Sequence, residues 1–111
     1  MTALHDSASV TGIDVGAVTD LTRGEGRTYT VDGTQIAVYL LSDGTVRATD
    51  AMCPHRGGPL ADGQFDDGVV VCPLHQYAFA FATGACTSAG IDPVRTYDAH
   101  VVDGRIRLTL G

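Results

Sequence analysis

Cys53-Pro54-His55-Arg56-Gly57-Gly58-Pro59-Leu60, with its echo at Cys72-Pro73-Leu74-His75, is the stretch around which the chain is organised. Each half offers one thiolate and one imidazole, and glycine and proline shape the backbone around them. A Cys-x-His pair, sixteen intervening residues and a Cys-x-x-His pair give two sulfur and two nitrogen ligands. That donor set suits a metal ion or an iron–sulfur cluster. Structural zinc sites usually pair like ligands locally, as Cys-x2–4-Cys followed by His-x3–5-His, whereas here each half mixes its ligands. Three other readings stand beside the cluster: a zinc-stabilised binding module, ordinary buried thiols with satisfied loop histidines, and a Cys–His nucleophile. A nucleophile would leave the duplication without a purpose.

In both ligand boxes, in the Gly-Gly-Pro-Leu tail of the first and in the aromatic-rich run after the second, the chain resembles the Rieske [2Fe-2S] family. In such centres two histidines replace two cysteines on one iron. The resemblance implies that Cys53 and Cys72 hold one iron and His55 and His75 the other. Arg56, Gly57, Gly58, Leu74, Gln76 and Tyr77 are then expected around the cluster, and Pro93 on a loop that covers it. It also implies that the added electron sits on the histidine-ligated iron, making His55 and His75 its exit path. High-potential members carry an extra cysteine in each ligand loop and hydroxyl donors near the cluster. Here those positions read Gly58 and Leu74, and Tyr77 and Phe79. The potential is therefore expected at the low end of the Rieske range of about −150 to +300 mV.

Around this centre, 111 residues make one domain, residues 1–9 being a loose polar end. Fourteen glycines favour many tight turns over a helical bundle. A formal charge of −6 argues against nucleic acid, whose phosphates would repel the surface. It suits a partner with a basic docking patch. The N-terminus has no signal-peptide pattern, no run is long enough to span a bilayer, and Cys86 is left over as an odd thiol. A cytoplasmic protein with no membrane partner is expected. His5 and His100 lie far apart in sequence and read as surface or edge histidines.

The periodicity predicts about eight short strands and no helix. A first strand lies in 10–18 and a loop over 19–26. Strands at 27–31 and 34–41 are joined by Asp32-Gly33, a hairpin signal because both turn positions need positive φ. Another follows at 45–49, so that a three-strand meander delivers the chain to Cys53. Residues 61–68 read as turns and a bulge, and 69–71 as a buried strand ending at Cys72. Tyr77, Phe79 and Phe81 alternate on one face, with Phe79 and Phe81 as core. The strands 94–102 and 105–110 pair across Asp103-Gly104. Together with the resemblance this makes an all-β, Rieske-like antiparallel sandwich or barrel with a small cluster-binding lobe formed by two loops.

Two families of partner fit. Small subunits of assimilatory NAD(P)H-nitrite reductases resemble the chain in length, in both boxes and in the closing Val-Arg-Thr-Tyr-Asp-Ala-His-Val-Val-Asp-Gly-Arg-Ile-Arg-Leu. Rieske ferredoxins of aromatic-ring dioxygenase systems, which pass electrons from a flavin reductase to an oxygenase, are similar in size and ligands. The tail and Leu74 favour the nitrite reductase reading. No nucleotide fingerprint or second metal site is legible, so bond-making is left to the partner.

Overall fold

Two Asp-Gly turns set the sheet. Asp32 and Gly33 have φ of 50° and 79°, and Asp103 and Gly104 have 52° and 75°. This is the left-handed pair that a two-residue hairpin needs to match strand twist. The structure, a computed structural model, describes residues 12–54, 58–74, 76–87 and 90–109. The polar end 1–9 and the outermost residues of the first and last expected strands lie outside that set.

The strands are β1 (Ile13–Ala17), β2 (Gly26–Val31), β3 (Thr34–Leu40), β4 (Val46–Asp50), β5 (Gln64–Phe65), β6 (Val69–Val71), β7 (Ala78–Ala80), β8 (Thr96–Val102) and β9 (Arg105–Thr109). Six of them form one antiparallel sheet in the order β1-β9-β8-β4-β3-β2, which curls into a nearly closed barrel, and β5-β6-β7 form a second, small sheet. All pairings are antiparallel. The all-β architecture expected from the sequence is thus the one observed. Two details differ: Gln64–Phe65 is a strand inside the stretch read as turns, and single 3-10 turns occupy Val18–Asp20 and Leu60–Asp62. Gln64 and Phe65 are held by Val71 and Val70 across the small sheet, a long-range pairing that local composition does not reveal. No helix among the described residues is long and apolar enough to cross a membrane.

β3 reads Thr-Gln-Ile-Ala-Val-Tyr-Leu because both of its faces are buried, which removes the usual polar alternation. Ile36, Val38 and Leu40 point into the barrel core with Val46, Ala48, Tyr97, Ile106 and Leu108. Ala37, Tyr39 and, just beyond the strand, Leu41 point the other way. There they join Cys53, Leu60, Val70, Cys72, Phe79 and Phe81 in a second core under the small sheet. Tyr39 seals the seam: its ring meets Phe65 edge-on at 5.1 Å and Phe81 at 5.0 Å, spacings typical of favourable aromatic pairs.

Burial raises the phenol of Tyr39 above its ordinary value, and burial followed by the neighbouring Asp50 pushes Tyr97 from 10.0 up to about 12. Both side chains are held neutral by the fold. Their contribution to stability is fully present below the unfolded phenol pKa of about 10 and is lost as pH rises through the folded value. Unfolding free energy, followed by circular dichroism in urea, is therefore expected to fall between pH 10 and 12. A flat profile across that window would mean that neither phenol is buried as described.

Candidate metal centre

Both ligand boxes sit on loops of one design. β4 runs through Ala51 and Met52 into Cys53, and the N–H of Cys53 donates to the carbonyl of Gly58 at 2.8 Å. β6 runs directly into Cys72, and the N–H of Cys72 donates to the carbonyl of Tyr77, also at 2.8 Å. In each case the bond spans five positions and pinches off a six-residue loop whose first residue is the cysteine. Behind the first loop the Leu60 N–H donates to the Ala51 carbonyl at 2.9 Å, and Met52 bridges Pro59. Behind the second, β6 and β7 pair from Val71 and Ala78 downward.

The two cysteines meet. Cys53 is 2% exposed, Cys72 is fully buried, and their thiols are in hydrogen-bonding contact without a disulfide. Burial pushes the Cys72 thiol up, the backbone N–H of Leu74 aimed at its sulfur opposes that, and the neighbouring Cys53 raises it again. Two thiolates held this closely in a dry site repel one another unless a cation lies between them, and metal ligation deprotonates such a pair. The loops also interlock. Gly58 is buried, and a Cβ on it would stand 2.6 Å from Cys72 Sγ and 3.2 Å from Leu74 Cγ. The first loop can approach the second cysteine only because residue 58 has no side chain.

Of the other sequence-predicted residues, His55, Arg56, Gly57 and His75 lie outside the described residues. Gln76 is exposed and adopts φ of 63°, reversing the chain after position 75. Tyr77 is half-buried and packs against the core that holds both cysteines. Leu74, within the second ligand box, is 43% exposed, and Met52, immediately before the first, is 57% exposed. Pro93 is exposed, while its neighbours Ile91 and Val94 pack into the lobe core. That segment is tied down where the Val94 N–H meets the Gly84 carbonyl at 2.9 Å. His100 is exposed on β8.

Residues that sequence reasoning passed over are Thr49, Asp50 and Tyr97. The Tyr97 hydroxyl donates to Asp50 Oδ1 at 2.5 Å across 47 positions of chain. The only local signal was an aspartate shortly before a ligand box. Cys86 bridges Phe79 at the rim of the same core and is half-buried. Replacing it by serine is expected to leave iron content per chain unchanged. Loss of iron on direct assay would make Cys86 a ligand.

Residues 11–98 match the Rieske [2Fe-2S] domain model. The anthranilate 1,2-dioxygenase ferredoxin subunit of Burkholderia cepacia is 35% identical, over 87% of this chain and 90% of that one. Among solved structures, the ferredoxin of carbazole 1,9a-dioxygenase from Nocardioides aromaticivorans IC177 superposes with a TM-score of 0.79 at 31% identity, covering 89% of this chain and 97% of the other. A putative NADH-dependent nitrite reductase small subunit from Mycobacterium tuberculosis superposes at 0.80 with 30% identity, covering 88% and 93%.

Proposed function

Because the chain belongs to the Rieske [2Fe-2S] domain family, we propose that it works as a one-electron carrier between larger redox proteins, with Cys53 and Cys72 on one iron and His55 and His75 on the other. The cofactor is a Rieske-type [2Fe-2S] cluster and the domain is an electron-transfer domain. The family match displaces the zinc reading. What supports the ligand assignment is the contact between two buried, unbridged thiols delivered by two loops of the same design.

When bound, the cluster supplies a site that accepts and releases one electron. The chain's own residues decide how that site is held. Cys53 and Cys72 keep the sulfur end out of water, and the Leu74 N–H stabilises negative charge on the Cys72 sulfur. With Gly58 and Leu74 where a second cysteine pair would stand, the potential belongs at the low end of about −150 to +300 mV.

Met52 and Leu74 are each exposed, one just before the first ligand box and one within the second, and offer apolar contacts to a docking partner. Residues 51–93 contain four aspartates and a single arginine, so the partner's face is basic. Against the preference that the tail and Leu74 gave, the partners favoured are a flavin reductase as donor and an aromatic-ring oxygenase as acceptor, supported by the 35% identity to a dioxygenase ferredoxin subunit. The second reading, a large subunit of an NAD(P)H-nitrite reductase, is supported by the likeness to a nitrite reductase small subunit. Three cysteines without a disulfide fit a reducing compartment, the cytoplasm.

The test is reconstitution. Purified without oxygen, the protein should be brown-red and contain iron. It should restore NAD(P)H-driven ring hydroxylation to an oxygenase and flavin reductase that lack their ferredoxin. Restoration of nitrite reduction alone would select the second reading, and a colourless, iron-free sample would overturn the carrier itself.

A further inference from the structure

Asp50, the last residue of β4, stands three positions before Cys53 and is gripped on every side. Its N–H donates to the Arg95 carbonyl at 2.9 Å. Its carbonyl accepts from Thr49 Oγ1 at 2.8 Å, and Thr49 Oγ1 lies 2.8 Å from the Tyr39 hydroxyl. Since Thr49 has one proton to give, Tyr39 must be the donor in that second contact. The Asp50 carboxylate accepts from the Tyr97 hydroxyl at 2.5 Å. Thr49 is the fully buried polar residue of the described core. Immediately after Asp50, the Ala51 N–H donates to the Gln35 carbonyl at 3.1 Å, and the Ala51 carbonyl takes the Leu60 N–H. The first ligand loop therefore leaves the barrel from a point where three strands meet.

β4 and β8 pair only at Ala48 with Tyr97 and at Thr49 with Thr96. The hydroxyl-to-carboxylate bond is a side-chain contact that ties β8 to the root of the loop. Arg95 lies over the Tyr97 ring, 5.1 Å from its centroid, and helps to hold the ring in place. The neutral state of the phenol, favoured by its burial, keeps it a donor at physiological pH.

We propose that Tyr97 and Asp50 are a positioning pair: their hydrogen bond fixes the root of the first ligand loop and draws charge off the Asp50 carboxylate, and thereby sets how readily the cluster accepts its electron. This rests on Cys53 being a ligand, as proposed above. Three residues of extended chain reach at most about 11 Å, close to one Debye length of about 8–10 Å. Ala51 and Cys53 on that path are buried, while the Met52 side chain between them is exposed and Asp50 is half-buried, so salt screens the interaction in part. A carboxylate there disfavours an added electron. A proton directed at its oxygen relieves that effect.

The test is a redox titration of the iron-loaded protein and of three variants, with iron content and thermal stability measured alongside. Tyr97→Phe is expected to lower the ratio of reduced to oxidised protein at a fixed potential about threefold, which is about 30 mV for a one-electron couple. Asp50→Asn, nearly the same shape but uncharged, is expected to raise that ratio by at least as much. In a background already carrying Asp50→Asn, adding Tyr97→Phe should move the potential no further. If Tyr97→Phe lowers stability while the potential stays put, or shifts it equally in both backgrounds, the pair only packs and the proposal is overturned. Should Tyr97→Phe fail to fold, an unchanged potential in Asp50→Asn overturns it by itself. An unmodified protein without iron would instead sink the cluster assignment.

Discussion

Replacing Gly58 by alanine is expected to strip the iron from a protein whose barrel stays folded. The added Cβ would lie 2.6 Å from Cys72 Sγ, closer than such atoms come, so something must move. Leu74, 3.2 Å away, is exposed and can yield. Cys72 cannot, because it is fully buried and its N–H is committed to the Tyr77 carbonyl. Overpacking of this kind costs about 1–3 kcal/mol. Felt at the ligand, that corresponds to about 5–150-fold weaker retention of the cluster. The barrel core is built from other residues and should be unaffected. Iron per chain and visible absorbance should collapse while the far-ultraviolet circular dichroism of the strands persists. Gly68→Ala, in the same lobe but with its nearest atom at 3.7 Å, is the matched control and should keep its iron. Full iron in Gly58→Ala would mean that the loops do not interlock.

The second large effect is on potential. His75→Cys should retain a cluster but move its potential out of the Rieske range, toward the plant-type value of about −400 mV, which lies about 250 mV below the low end of that range. A neutral imidazole leaves its iron readily reduced, whereas a thiolate adds a negative charge directly to the metal and favours the oxidised state. The bond that closes the second loop joins the backbone N–H of Cys72 to the backbone carbonyl of Tyr77 and does not depend on which residue stands at position 75. Spectroelectrochemical titration of the loaded variant measures the shift directly. A loaded variant with an unaltered potential would remove His75 from the ligand set.

Much of the fold is legible because it is encoded over a few adjacent residues. The Asp32-Gly33 and Asp103-Gly104 turns announce themselves by residue type, since few other pairs tolerate positive φ at both positions. Cys72 falls at the end of the 69–71 strand as expected. Burial of Phe79 and Phe81 follows from simple alternation. β5 escaped because Gln64 and Phe65 sit among aspartates and glycines and become a strand only through Val70 and Val71. In the same way, Gly84 reads as an ordinary turn glycine. In the fold a Cβ there would meet the Val94 carbonyl at 1.9 Å, so the glycine also admits the segment that carries Ile91 and Val94 onto the lobe core.

From the order of residues alone came the donor chemistry, two thiols and two imidazoles on two loops, and the antiparallel strands that present them, because ligand type and turn geometry are properties of short stretches of chain. Tertiary packing alone decided that Gly58 touches Cys72, that the site expected for the two sulfurs is dry, and that Tyr97 reaches Asp50 at the root of the first loop. Those contacts join segments up to 47 positions apart. Such contacts depend on how two apolar cores fill the space on either side of β3, which no local pattern specifies.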